Sequence, residues 1–184
     1  MAAELRQNVT FQQRYLNIFD QADKDHDGVV TMSEVMLYAE TCKQMTNRPD
    51  HEIEPLREVL REFFEEQGVT EEGCKREDWL DNLSVFVTKE LERLEKGVPT
   101  LSQKVLDTFF GLIDLNDDKT LSPDEFAIFA KVFEWPEAIV APFFKFADVN
   151  KNGKLEWNEF YDAVIRFWYK VEEGDIDNLY GGHF

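Results

Sequence analysis

Three twelve-residue stretches of this chain set oxygen-bearing side chains at the same offsets. They read DKDHDGVVTMSE from Asp23 to Glu34, DLNDDKTLSPDE from Asp114 to Glu125, and DVNKNGKLEWNE from Asp148 to Glu159. Each has a carboxylate or carboxamide at positions 1, 3 and 5, an aliphatic residue at position 8 and Glu at position 12. Each also lies between two stretches of helical hydrophobic spacing. One match in so acidic a chain is weak; three constrain the fold, because each must wind its backbone around a hard cation between two helices.

The loops have the pattern of calcium-binding EF-hands. Positions 1, 3 and 5 offer side-chain oxygens: Asp23, Asp25 and Asp27; Asp114, Asn116 and Asp118; Asp148, Asn150 and Asn152. Position 7 offers only its carbonyl, from Val29, Thr120 and Lys154, and position 9 often acts through water, from Thr31, Ser122 and Glu156. Glu34, Glu125 and Glu159 close the shell with a bidentate carboxylate, which favours calcium over the smaller, octahedral magnesium, although magnesium can compete. Val30, Leu121 and Leu155 at position 8 are expected to pair with a partner loop and anchor the core. Position 6 needs a left-handed turn; Gly28 and Gly153 supply it and Lys119 does not. That residue is expected to cost roughly 1–2 kcal/mol and to weaken the Asp114 loop about tenfold.

The charge of −18 fits this reading, because much of it lies in the loops themselves. Such acidity argues against nucleic acid and anionic membrane surfaces as partners. A hydrophobic share of 43% in 184 residues suffices for a globular core. The first residues lack the apolar core of a secretory signal, and no apolar run has membrane-spanning length. Cys42 and Cys74 have no framework spacing and are expected to be free thiols in a reducing cytoplasm.

Helical stripes frame the loops. Phe11, Tyr15, Ile18, Phe19 and Ala22 lead into the first; Val35, Met36, Ala39 and Cys42 leave it in a helix starting near Ser33. Pro49 opens a stripe of Ile53, Leu56, Leu60, Phe63 and Phe64, and Trp79, Leu83, Phe86 and Leu94 form the next. A loop-length segment lies between these two. With Cys74 at position 8, it puts Gln67, Val69 and Glu71 at positions 1, 3 and 5, so this second hand is expected to pair without binding metal. Gly97 to Thr100 reads as a linker, with Thr100 capping the next helix. Leu101, Val105, Phe109 and Ile113 enter the Asp114 loop; Phe126, Phe129 and Phe133 leave it; Pro136 opens a stripe of Ile139, Val140, Phe143 and Phe144; and Phe160, Val164 and Trp168 exit the last loop. The expected architecture is all-α, a compact monomer of four EF-hands: an N-terminal pair over 1–96, a C-terminal pair over 101–170, and a tail, 171–184, whose Ile176, Leu179, Tyr180 and Phe184 fold back on the core.

Beyond the loops, FWYK from Phe167 to Lys170 and LYGG from Leu179 to Gly182 resemble the end of the aequorin-like jellyfish photoproteins. REDW from Arg76 to Trp79 and FFKFADVNKNGKLE from Phe143 to Glu156 resemble comb-jelly photoproteins. Three working loops with a degenerate second hand are also the pattern of the sarcoplasmic calcium-binding proteins and calexcitin. The resemblance covers nearly the whole chain and implies a compact four-EF-hand fold. In the jellyfish branch it implies a buried coelenterazine held by His, Trp and Tyr side chains. Trp168 and Tyr180 stand at the C-terminal Trp and Tyr positions of that set. Elsewhere the chain departs from it. Val164 replaces a His, Tyr15 the first-helix His, Phe129 a Tyr and Val105 a Trp, and Phe184 replaces the terminal Pro. Ile18 stands where the comb-jelly branch carries an Arg. None of His26, His51 and His183 lies on a core-facing stripe.

Two functions follow. The first is a calcium-binding protein with three sites, acting as a cytosolic buffer or signalling module. Its four scattered Met residues do not suit the groove of a sensor. The alternative is a calcium-triggered photoprotein or coelenterazine-binding relative, with Trp168 and Tyr180 on the ligand. The 16 Phe, 4 Trp and 5 Tyr are expected mainly to pack the helices, with a core cavity for a small apolar ligand as the alternative. No nucleophile–base pattern or phosphate loop suggests a conventional enzyme.

Overall fold

The computed structural model describes residues 6–169. The expectations for the tail, among them Tyr180 at the ligand, fall outside that span.

The first helix, α1 (Val9–Ala22), begins where the Asn8 side chain accepts the Phe11 N–H at 3.0 Å. It buries Phe11, Tyr15, Phe19 and Ala22 along one face. The chain then passes through the Asp23 loop and a two-residue strand, β1 (Val29–Val30), into α2 (Met32–Thr46). This helix ends at Asn47, which takes the left-handed conformation, φ 55°. The second hand consists of α3 (Asp50–Glu65), β2 (Cys74–Lys75) and α4 (Arg76–Glu95).

The second half repeats the plan with α5 (Leu101–Ile113), β3 (Thr120–Leu121), α6 (Pro123–Val132), α7 (Glu137–Ala147), β4 (Leu155–Glu156) and α8 (Trp157–Tyr169). Thr100 caps α5, its hydroxyl accepting the Gln103 N–H at 3.0 Å. The all-α architecture of four EF-hands therefore stands, with strands only as loop-to-loop ribbons. Val30 pairs with Cys74 and Leu121 with Leu155, antiparallel, which is the position-8 pairing expected from the spacing. Among the described residues no helix is long and apolar enough to cross a membrane.

One apolar core runs through both halves. Trp79, Phe109, Phe126, Phe129, Phe143 and Phe160 are among its fully enclosed side chains. The halves meet where α3 lies against α5 and α2 against α6. Leu94 departs from the expected stripe: it is 36% exposed, because the last turn of α4 carries it away from the core that encloses Trp79, Leu83 and Phe86.

Candidate metal centres and an apolar pocket

In the first loop the carboxylates of Asp23, Asp25 and Asp27 converge, with one oxygen from each within 4.8 Å of the others. Backbone amides prepare this cluster. Asp23 accepts from the Asp27 and Gly28 N–H groups at 3.1 and 2.9 Å, and Asp27 accepts from the Val29 N–H at 2.8 Å. Glu34 reaches back across the loop, accepting from the Lys24 N–H with one oxygen and from the Thr31 N–H with the other, both at 2.8 Å. Thr31 is the N-cap of α2 and Glu34 its N3 residue, so positions 9 and 12 form a capping box. Helix initiation and the closing carboxylate are thus the same device. Burial pushes the Glu34 carboxyl up, and the hydrogen bonds from Thr31, Lys24 and Asp25 outweigh it, so it sits below the usual range.

The Asp114 loop repeats this frame. Asp114 accepts from the Asp118 and Lys119 N–H groups at 3.2 and 2.9 Å, and Ser122 with Glu125 forms the capping box of α6. Lys119 does take the left-handed conformation, φ 65°. Asp118 is held down to about 2 by hydrogen bonds from Lys154 and Thr120. In the Asp148 loop, Asp148 accepts from the Asn152 and Gly153 N–H groups at 3.0 and 2.9 Å, and Glu159 from the Asn150 and Glu156 N–H groups, both at 3.1 Å.

The second hand has no such frame. Gln67 and Val69 are buried and Glu71 is exposed, so these side chains do not converge. Close packing shapes this loop instead. A Cβ on Gly73 would lie 2.4 Å from the Val29 side chain and 3.0 Å from the Val30 carbonyl, so any other residue would push β1 and β2 apart.

Behind the loops, between the two halves, lies a pocket. Its wall is mostly aromatic and aliphatic: Phe63 and Phe64 from α3, Leu83, Phe86 and Val87 from α4, Phe133 and Trp135 after α6, and Phe167 and Trp168 from α8. The aromatics therefore both pack the core and line a cavity. Polar groups enter from α1 (Arg14, Tyr15, Asn17 and Gln21) and from Tyr38 and Gln67. Arg14 donates to the Phe167 carbonyl at 2.6 Å, and the Tyr15 hydroxyl donates to the Trp168 carbonyl. Burial pushes both the Tyr15 and Tyr38 phenols up, so they stay protonated donors at neutral pH.

Of the positions carried over from the jellyfish ligand set, the structure brings Tyr15 and Trp168 to this wall. Val105, Phe129 and Val164 are buried in the core and do not line it, Phe129 packing behind the wall residues Phe133 and Trp135. Neither His26 nor His51 lines it. By sequence, Val164 and Phe129 leave polar positions of that set apolar. In the structure Arg14, Asn17, Gln21 and Gln67, which the resemblance does not mark, bring polar groups to the pocket instead. Arg14, Asn17 and Gln21 follow one another at i, i+3 and i+7 beside the Tyr15–Ile18 stripe, a polar edge legible in the spacing of α1.

Comparison with known proteins finds both family models and whole-chain likenesses. A family model described as the calcium-binding region of secreted protein acidic and rich in cysteine matches residues 45–163, and an EF-hand model matches 16–36. Obelin from Obelia longissima is 24% identical over 184 residues, spanning 91% of this chain and 88% of its own. The structure of a light-sensitive photoprotein is 32% identical with a TM-score of 0.82, covering 90% of this chain and 85% of that one. Calcium-loaded apo-berovin, from the ctenophore Beroe abyssicola, is 34% identical with a TM-score of 0.78, covering 84% of this chain and 86% of its own. With its loops, its pocket and these likenesses, the chain belongs to the EF-hand calcium-binding proteins and, within them, to the four-EF-hand photoprotein superfamily.

Proposed function

We propose that this protein is a calcium-triggered photoprotein that binds three calcium ions and holds coelenterazine between its halves. The observation that carries the reading is the aromatic-walled pocket with a polar edge on α1, in a chain 34% identical to berovin. Aequorin, at 20% identity a likeness of fold alone, forms an apoprotein complex with (S)-HM-daCTZ.

The metal ligands in this reading are Asp23, Asp25, Asp27, the Val29 carbonyl and Glu34; Asp114, Asn116, Asp118, the Thr120 carbonyl and Glu125; and Asp148, Asn150, Asn152, the Lys154 carbonyl and Glu159. Thr31, Ser122 and Glu156 act at position 9. The all-oxygen donor sets and the convergence of Asp23, Asp25 and Asp27 fit a hard cation. Berovin binds magnesium ions in all three of its calcium-binding loops, which supports magnesium as a competitor here.

When bound, coelenterazine supplies the oxidisable carbon framework whose oxidative decarboxylation yields light. The chain's part is to bind, to exclude water and to orient. Phe63, Phe86, Phe133, Trp135 and Trp168 form the dry wall; Arg14, Gln21, Gln67 and the phenols of Tyr15 and Tyr38 offer hydrogen-bonding groups at its edge. Tyr180 belongs to the ligand set by resemblance alone. The two free, buried cysteines suit a monomer in a reducing cytoplasm.

The second reading is a calcium buffer. It is favoured by the apolar, core-buried Val105, Phe129 and Val164 at positions where the jellyfish set is polar or carries Trp. One experiment separates the two. The apoprotein is incubated with coelenterazine and oxygen without calcium, freed of unbound ligand, and then given calcium. The photoprotein reading expects retained ligand and a flash. No retained ligand and no flash, with calcium still bound, leaves the buffer.

A further inference from the structure

We infer that Lys154 sets the calcium affinity of the neighbouring Asp114 loop, lowering it by placing an ammonium on one of that loop's ligand carboxylates. The inference rests on the reading of both C-terminal loops as calcium sites. Lys154 is position 7 of the Asp148 loop, where only its carbonyl faces the metal, so its side chain is free of any role there. The antiparallel ribbon that pairs Thr120 with Glu156 and Leu121 with Leu155 turns that side chain across to the partner loop. Its Nζ donates to Asp118 Oδ2 at 2.5 Å. The other oxygen, Oδ1, accepts from the Thr120 N–H at 2.9 Å and from the Thr120 hydroxyl. A divalent ion entering this loop must therefore draw on a carboxylate that is already engaged on both sides, beside a fixed positive charge.

The arrangement is particular to this pair of loops. In the N-terminal pair the residue matching Lys154 is Gly73, which has no side chain to send toward Asp27. The Asp114 loop also receives a second cation from outside: Arg48 donates to the Asp114 carbonyl at 2.9 Å and lies 4.0 Å from the Asp117 carboxylate. Two basic groups from other parts of the chain thus converge on one metal loop. Lys154 belongs by its backbone to one site and by its charge to the other, so filling of the two loops is coupled through it.

A partly exposed like charge beside a divalent ion weakens binding by a few-fold to about tenfold, and salt screens the effect. The test isolates the Asp114 loop with Glu34→Gln and Glu159→Gln, then adds Lys154→Gln or Lys154→Arg, and follows calcium binding by calorimetry at low and high salt. Lys154→Gln should tighten that loop by a few-fold to about tenfold at low salt, and by much less at high salt. Lys154→Arg should leave it near the parent. Equal affinities for the parent and Lys154→Gln at low salt overturn the inference while leaving the loop a calcium site. A parent that takes up no calcium overturns the reading of the loop and the inference together. The same Lys154→Gln comparison in the otherwise unaltered chain, where one of three binding steps should tighten, guards against a fold weakened by the background substitutions.

Discussion

Lys119 shows how a single backbone angle carries an energetic cost. The sequence suggests that a non-glycine turn would weaken metal binding about tenfold. In the structure Lys119 holds φ 65° with Glu125 already closing the loop through Leu115 and Ser122. The turn is thus made at the cost a non-glycine residue carries there. Lys119→Gly should tighten calcium binding at this loop by up to about tenfold in calorimetry, and no gain in affinity would refute that cost. Cys42 carries a second residue-scale effect. Burial pushes its thiol from 9.0 up to about 12, with Arg48 pulling weakly the other way. A raised folded value means that its contribution is fully present below about pH 9 and is lost as pH rises toward about 12. Replacing it with Ala should flatten the fall in stability over that window, read from urea midpoints at stepped pH.

At the scale of elements, the joint between the halves is held by a buried charge. Glu90 on α4 is fully enclosed. It accepts from the Leu101 and Ser102 N–H groups at 3.2 and 3.0 Å and from the Ser102 hydroxyl at 2.6 Å, while Arg93 donates to it at 2.9 Å. A carboxylate thus sits on the amide end of α5, where the helix dipole favours it. Glu90→Ala should cost about 3 kcal/mol, because buried donors lose their acceptor; chemical denaturation checks this. Glycine and Thr mark the linker in the sequence, and Thr100 does cap α5. Glu90 also fastens the joint, and its partners Leu101 and Ser102 lie eleven and twelve residues away, a link that no local rule identifies. The loops were far more legible. Each metal frame is built from twelve consecutive residues, and the hydroxyl at position 9 with Glu at position 12 spells the capping box in two of them.

Across the whole molecule, the halves share a core and exchange polar contacts. Arg48, in the connection between α2 and α3, donates to the carbonyls of Leu112 at 3.3 Å and Asp114 at 2.9 Å, while pairing with Glu52. Lys24 of the first loop pairs with Glu134 beside the pocket residues Phe133 and Trp135 at 2.7 Å. Each half therefore touches a metal-loop region of the other. Arg48→Met should destabilise the fold by roughly 1–2 kcal/mol, the value of charged hydrogen bonds at a partly exposed site. It should also make the calcium response of thermal unfolding less cooperative, which scanning calorimetry with and without calcium would reveal. The pocket belongs to this scale. Its wall comes from five helices and two connections, and Arg14 contributes only because α1 packs against the end of α8.

The sequence by itself determined the loops, the degenerate second hand and the register of the loop pairs, because coordination geometry and helix periodicity act over neighbouring residues. Only the tertiary structure decided that the aromatics leave a cavity, that Arg14 and Gln67 border it while Val105, Phe129 and Val164 do not, and that the Lys154 side chain crosses from its own loop to Asp118 of the neighbouring loop. Those outcomes depend on which helix faces meet across the core, and distances between segments far apart in the chain carry no periodic signature.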